Sequence, residues 1–116
     1  MTRSQPANRR RFLFGLVWIV LILALWQHER SAFAHYAGVK DQFETVAEGQ
    51  SEASVYSRLG KPSYHEGRCG TIARISTGCQ VEFVYGHPFS PLTADYFIVE
   101  FNGDHEVIAT RHWVSP

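Results

Sequence analysis

Cys69 and Cys79 are the two cysteines of the chain, separated by nine residues that include Gly70 and Gly78. Thiol-redox catalysis needs a low-pKa thiolate, usually within a C-x-x-C at a helix start, and that spacing does not occur here. A zinc site needs four donors; His65 and His87 could join the cysteines, without a recognised metal-binding spacing. A disulfide needs only the pair and an oxidising compartment, and so short a ring limits the unfolded chain by about 2–3 kcal/mol in the chain-entropy model. A Cys69–Cys79 disulfide is therefore expected, with a thiol- or metal-dependent sensor or enzyme built on Cys69, Cys79 and His65 as the alternative.

The other polar residues do not converge on a reaction. His28 and His35 lie in or just after the apolar N-terminal stretch, His105 beside a turn signal, and His112 next to Trp113 at a predicted strand end. No G-x-S-x-G elbow accompanies a histidine and an acid, and Ser51 has the position of a helix cap. Glu44, Glu48 and Glu52 recur every four residues, but Gly49 interrupts the helix that would align them, which suits a solvated edge. The chain is thus read as non-enzymatic, with no catalytic residue, metal or cofactor assigned. The expected partner contact is the loop His87-Pro88-Phe89-Ser90-Pro91-Leu92, whose prolines lower the ordering cost of presenting Phe89 and Leu92. Its alternative is a loop that folds the aromatic back over the sheet edge.

Phe12 to Trp26 is an apolar run of fifteen residues preceded at once by Arg9, Arg10 and Arg11. As a helix it extends about 22 Å, short of a ~30 Å hydrocarbon core but extendable by snorkelling arginines and an interfacial Trp26. The arginines should stay cytoplasmic. A retained anchor in the inner membrane, with the remainder in the periplasm, is expected over a signal peptide cleaved at Ala32-Phe33-Ala34, because Gln27-His28-Glu29-Arg30 intervenes. Asn8-Arg9-Arg10-Arg11-Phe12-Leu13 also resembles a twin-arginine signal, although a positive-inside flank accounts for it more simply. No cysteine follows the apolar run to carry a lipid. The net charge of zero divides into +4 over residues 1–38 and −4 from Val39 onward, which disfavours a nucleic-acid partner because phosphate neutralisation needs a basic face.

Four segments follow: a basic arm 1–11, a membrane-anchor or signal helix 12–28, a linker 29–38, and a small α+β domain 39–116. Val39, Phe43, Val46 and Ala47 fall on one helical face. After Gly49, Ser51 caps a second helix through Leu59, which Gly60 closes and Pro62 cannot continue. Val81, Phe83 and Tyr85 alternate against Glu82 and Val84, Tyr96 to Phe101 is aromatic and β-branched, and His105 to Trp113 returns after the Asn102-Gly103 turn signal. Pairing Val99 with Val107 through a bulged three-residue loop is the preferred register. Two helices packed on one face of a three-stranded antiparallel sheet complete the expected fold.

The run from Phe43 to Pro62, an apolar helix followed by Gly49-Gln50-Ser51 and Val55-x-x-x-Leu59-Gly60-x-Pro62, resembles the helical hairpin of the SmpA/OmlA (BamE-like) family. The Phe83-Val84-Tyr85 strand and the Tyr96 to Gly103 hairpin are similar to that family's strands, so the resemblance covers Val39 to Trp113. It implies an envelope protein acting without turnover, by protein binding or scaffolding, in a family known for outer-membrane protein assembly; similar folds occur in secreted inhibitors. The chain departs from the family in lacking a lipidated cysteine, in carrying Gln50 where Met is frequent, and in the Cys69 and Cys79 pair. Fold and compartment carry over; membership of the assembly machine does not.

Overall fold

The computed structural model describes Pro6 to Val114, so Arg3 and the start of the basic arm lie outside the described residues, as do Ser115 and Pro116. The chain divides into two units, residues 1–32 and 33–116. Helix α1 (Pro6–Phe43) contributes to both. In the first unit the apolar side chains from Phe12 to Trp26 are exposed, and the helix from Asn8 is long and apolar enough to cross a membrane. Arg30 lies 5.3 Å over the Trp26 ring, one turn away, where a guanidinium and an indole attract each other.

The expected linker 29–38 is helical, and the second unit begins at Phe33. His35 and Tyr36 therefore belong to the packed domain. The helix stops at Phe43 rather than Ala47, because Thr45 folds back to Gln42 through its amide at 3.0 Å and its hydroxyl at 2.6 Å. Val46 still reaches the core, from a turn. Gly49 takes φ +87°, and the chain then pairs with the far hairpin: Gly49 N–H donates to Val107 O at 2.9 Å and Glu52 N–H to His105 O at 2.8 Å.

Helix α2 (Glu52–Leu59) follows its sequence signals. Ser51 caps it by accepting from Ser54 N–H, and Gly60, at φ +77°, donates to Tyr56 O. Its last carbonyls gain side-chain donors, since the His35 imidazole bonds Leu59 O at 3.0 Å and the Tyr85 hydroxyl bonds Gly60 O at 2.7 Å.

The sheet has four antiparallel strands, not three, in the order β1 (His65–Gly67), β2 (Val81–Gly86), β3 (Asp95–Phe101), β4 (Val107–Val114). The additional strand β1 is His-Glu-Gly, too short and too poor in β-formers to declare itself, and it exists by pairing with Glu82, Phe83 and Val84. The β3–β4 register also differs from expectation: Val99 faces Thr110 and Phe101 faces Val107, with a bulge between Glu100 and Phe101. The connection between Phe101 and Val107 is longer than the three-residue loop expected, although the expected bulge is present. Asn102 Oδ1 accepts from Asp104 and Glu106 N–H, and the positive φ falls on His105 at 59°. An asparagine that satisfies two amides beyond itself favours this wider loop over the type I′ turn.

Both faces of the sheet are covered. On one, Phe83, Tyr85, Phe97, Val99 and Phe101 pack with Val39, Val55 and Leu59 from the helices. On the other, Val84, Tyr96 and Ile98 pack under Ile72, Ala73 and Ala94. The segment 68–80 thus lies across a face expected to meet solvent.

Candidate functional site

The loop 87–94 joins β2 to β3, and its own hydrogen bonds hold it. His87 N–H donates to Asp95 O at 3.0 Å across its base, Ser90 N–H to His87 O at 2.8 Å, and Thr93 N–H to Phe89 O at 3.1 Å. The Ser90–Pro91 peptide is cis. Gly86 lies at a close approach, where a Cβ would stand 3.0 Å from Ser90 Oγ and 3.4 Å from Tyr64 Cβ. Leu92 is 93 % exposed and Phe89 48 % exposed. The two proposed contact residues differ in setting. Leu92 projects into solvent, while the Phe89 ring stands edge-on to Phe33 with centroids 5.3 Å apart.

Asp95 sits at the loop's base and gathers groups distant in sequence. The Tyr36 hydroxyl of α1 donates to Oδ2 and the His112 imidazole of β4 to Oδ1. The His112 ring lies flat on Phe97, 4.2 Å away and 7° from parallel, and the His87 ring is 5.0 Å from Tyr36. Partial burial pushes the Asp95 carboxyl up, but the hydrogen bonds from Tyr36 and His112 and the positive fields of His112 and His87 outweigh it and hold the group below the usual aspartate range. A carboxylate that orients an imidazole also serves in acid–base catalysis; here it ties α1, β3 and β4 together beneath the loop.

On the opposite face, Glu82 and Glu100 are direct cross-strand partners, each 1 % exposed. Glu82 accepts from Thr71 N–H at 3.0 Å and Gly70 N–H at 3.3 Å, and Glu100 accepts from Ser76 N–H at 3.3 Å. Arg111 reaches Glu100 at 3.6 Å and donates to Ser76 Oγ at 2.7 Å. Cys69 and Cys79 stand at disulfide distance with Cα atoms 6.3 Å apart, closing the segment these carboxylates hold. The histidines weighed as zinc donors have other engagements: His65 bonds Arg68 O at 3.0 Å beside Glu82, and His87 accepts from Phe89 N–H at 3.1 Å.

A third feature is a cleft of about 640 Å³ between α2 and the β3–β4 connection, with Glu52, Glu66, Asp104 and Glu106 around Tyr56 and Phe83. His105 bonds Glu52 across it at 2.7 Å. Glu44 and Glu48, aligned with Glu52 only by spacing, are exposed and do not line it.

Sequence reasoning missed Asp95, Tyr36, Glu82 and Glu100. The glutamates had a detectable signal: Glu82 shares a strand face with Val84, and Glu100 with Ile98 and Tyr96, so apolar residues occupy both phases of each strand, the mark of a sheet buried on both sides. Asp95 and Tyr36 had none, because 58 residues separate them. Comparison with protein-family models, with curated proteins and with solved structures returns no match to this chain.

Proposed function

We propose that this chain is a membrane-tethered accessory protein of the bacterial envelope that binds a protein partner without turnover and belongs with the SmpA/OmlA-like proteins. The anchor is the apolar part of α1, crossing the inner membrane with its arginines cytoplasmic and the second unit periplasmic. Retention rather than cleavage is supported by Ala32-Phe33-Ala34 being helical, with Phe33 packed on Phe89 and His87. The cysteine pair fits an oxidising compartment. The observation that carries the binding role is Leu92, a large apolar side chain 93 % exposed on a loop already ordered by its own hydrogen bonds. A preordered loop loses little entropy on docking, so an apolar tip there is suited to a partner's pocket.

Crosslinking in intact cells, read by mass spectrometry, tests this directly. Phe89→Ser with Leu92→Ser should abolish the crosslinked partner and shift Tm by only a few degrees, since both side chains lie at the surface. A partner recovered undiminished with the folded double variant would refute the loop contact. Sequencing the mature N-terminus checks the tether: residues before Ala32 should remain, and a terminus at His35 would replace the anchor with a signal peptide.

A further inference from the structure

We infer that the segment 68–80 is a redox-releasable strap over the second sheet face, and that the Cys69–Cys79 bond is a site of thiol–disulfide exchange with a dithiol reductant. This does not rest on the partner-binding role. Cys69 and Cys79 are both partly exposed, whereas Glu82 and Glu100, which accept from the strap's amides, are buried. The bond therefore lies nearer to solvent than the carboxylates beneath the strap. Gly70 and Gly78, next to the two cysteines, have φ of +98° and +89°, conformations that let the chain turn sharply at each end of the ring.

The strap is held by a balance that the covalent bond tips. Glu82 and Glu100 face each other on paired strands, and like charges directly opposite destabilise a sheet. The closed strap offsets this with amides from Gly70, Thr71 and Ser76, while Arg111 stands by Glu100 and His65 lies 3.9 Å from Glu82. Ile72 and Ala73 contribute a small apolar contact on Val84, Tyr96 and Ile98. Opening the strap returns both carboxylates to water, which solvates them better than the two amides on Glu82 and the one on Glu100 can. While the ring is closed the strap cannot move far. Once it is cut, hydration of the carboxylates competes freely with a thin apolar contact, and a face carrying Val84, Tyr96 and Ile98 between the half-exposed Tyr64 and Trp113 is uncovered.

The exchange balances as an ordinary dithiol reduction. A reductant thiolate attacks one sulfur, the Cys69–Cys79 bond breaks with its electron pair leaving on the other sulfur, and the reductant's second thiol resolves the mixed disulfide. Both cysteines end as thiols and the reductant as its disulfide, with two electrons and two protons transferred. Amide hydrogen exchange on the full chain in lipid nanodiscs, with and without reduced thioredoxin-type dithiol, tests the inference. Gly70, Thr71 and Ser76 amides should lose protection by about 100-fold, the scale of the lost ring closure, while Val84 and Ile98 amides in the sheet keep theirs. Cys69→Ser with Cys79→Ser should reproduce that pattern without reductant. Strap amides that stay protected after reduction would overturn the inference, as would equal loss in strap and sheet, which would make the bond a staple of the whole domain.

Discussion

The two faces of the sheet are covered by different physics. The helices that cover the first face satisfy most of their own backbone hydrogen bonds, so Val39, Val55 and Leu59 can meet Phe83, Val99 and Phe101 through apolar contact alone. The strap over the second face is irregular and brings amides with no partner of their own. The sheet supplies acceptors for them in Glu82 and Glu100, and a disulfide ring limits the strap's freedom. The helix-covered face is held mainly by volume, with the Tyr85 and Tyr36 hydroxyls adding bonds to Gly60 O and Asp95, and the strap by matched polar groups and a crosslink. Substitutions on the two faces should therefore fail in different ways.

The largest effect belongs to the helix-covered face. Phe101, fully buried between Phe83 and the helices, should cost about 3–5 kcal/mol as Phe101→Ala, because the core cannot collapse into the vacated volume. Denaturant unfolding of the full chain in detergent measures it, and a loss below ~1 kcal/mol would show that this face is not the main core. On the strap face, Glu82→Ala removes the charged acceptor of the Gly70 and Thr71 amides and should cost about 1–3 kcal/mol, whereas Glu82→Gln, which keeps an acceptor, should cost less. Equal losses for the two variants would mean that the side chain matters there by its packing rather than as an acceptor.

The smallest effect lies at the loop base and depends on pH. The Asp95 carboxyl is held below its unfolded value, so its contribution is complete above the ordinary aspartate value of about 3.9 and is lost as pH falls through the folded value. Asp95→Asn should lower stability by about 1–2 kcal/mol at neutral pH through weakened bonds to Tyr36 and His112. The difference from wild type should shrink in acid. Stability curves that remain parallel down to the acid limb would remove Asp95 from the linkage.

Local signals were legible where one stretch of chain sufficed to satisfy itself. Ser51 caps α2, Gly60 closes it, and the apolar run after the arginines forms a helix, because each depends on neighbours within a few residues. The paired strands β2, β3 and β4 were legible from their β-branched and aromatic content, although their register was not: the Asn102 side chain, bonding two amides ahead, set a longer connection than Asn102-Gly103 implies. The loop 87–94 could be located and its Leu92 tip anticipated, but Phe89 meets Phe33 across more than fifty residues of sequence.

By itself, then, the sequence determined the long apolar helix, the capped short helix, the strand-forming segments and the pairing available to its two cysteines, since these follow from composition and near-neighbour chemistry. Tertiary structure alone decided that His-Glu-Gly at 65–67 becomes a strand, that Tyr36 and His112 share Asp95, and that Glu82 and Glu100 turn inward. Each of these requires a partner brought from far along the chain. A carboxylate in an alternating strand reads as solvent-facing until something covers it, and what covers these two is a stretch of loop whose amides need them.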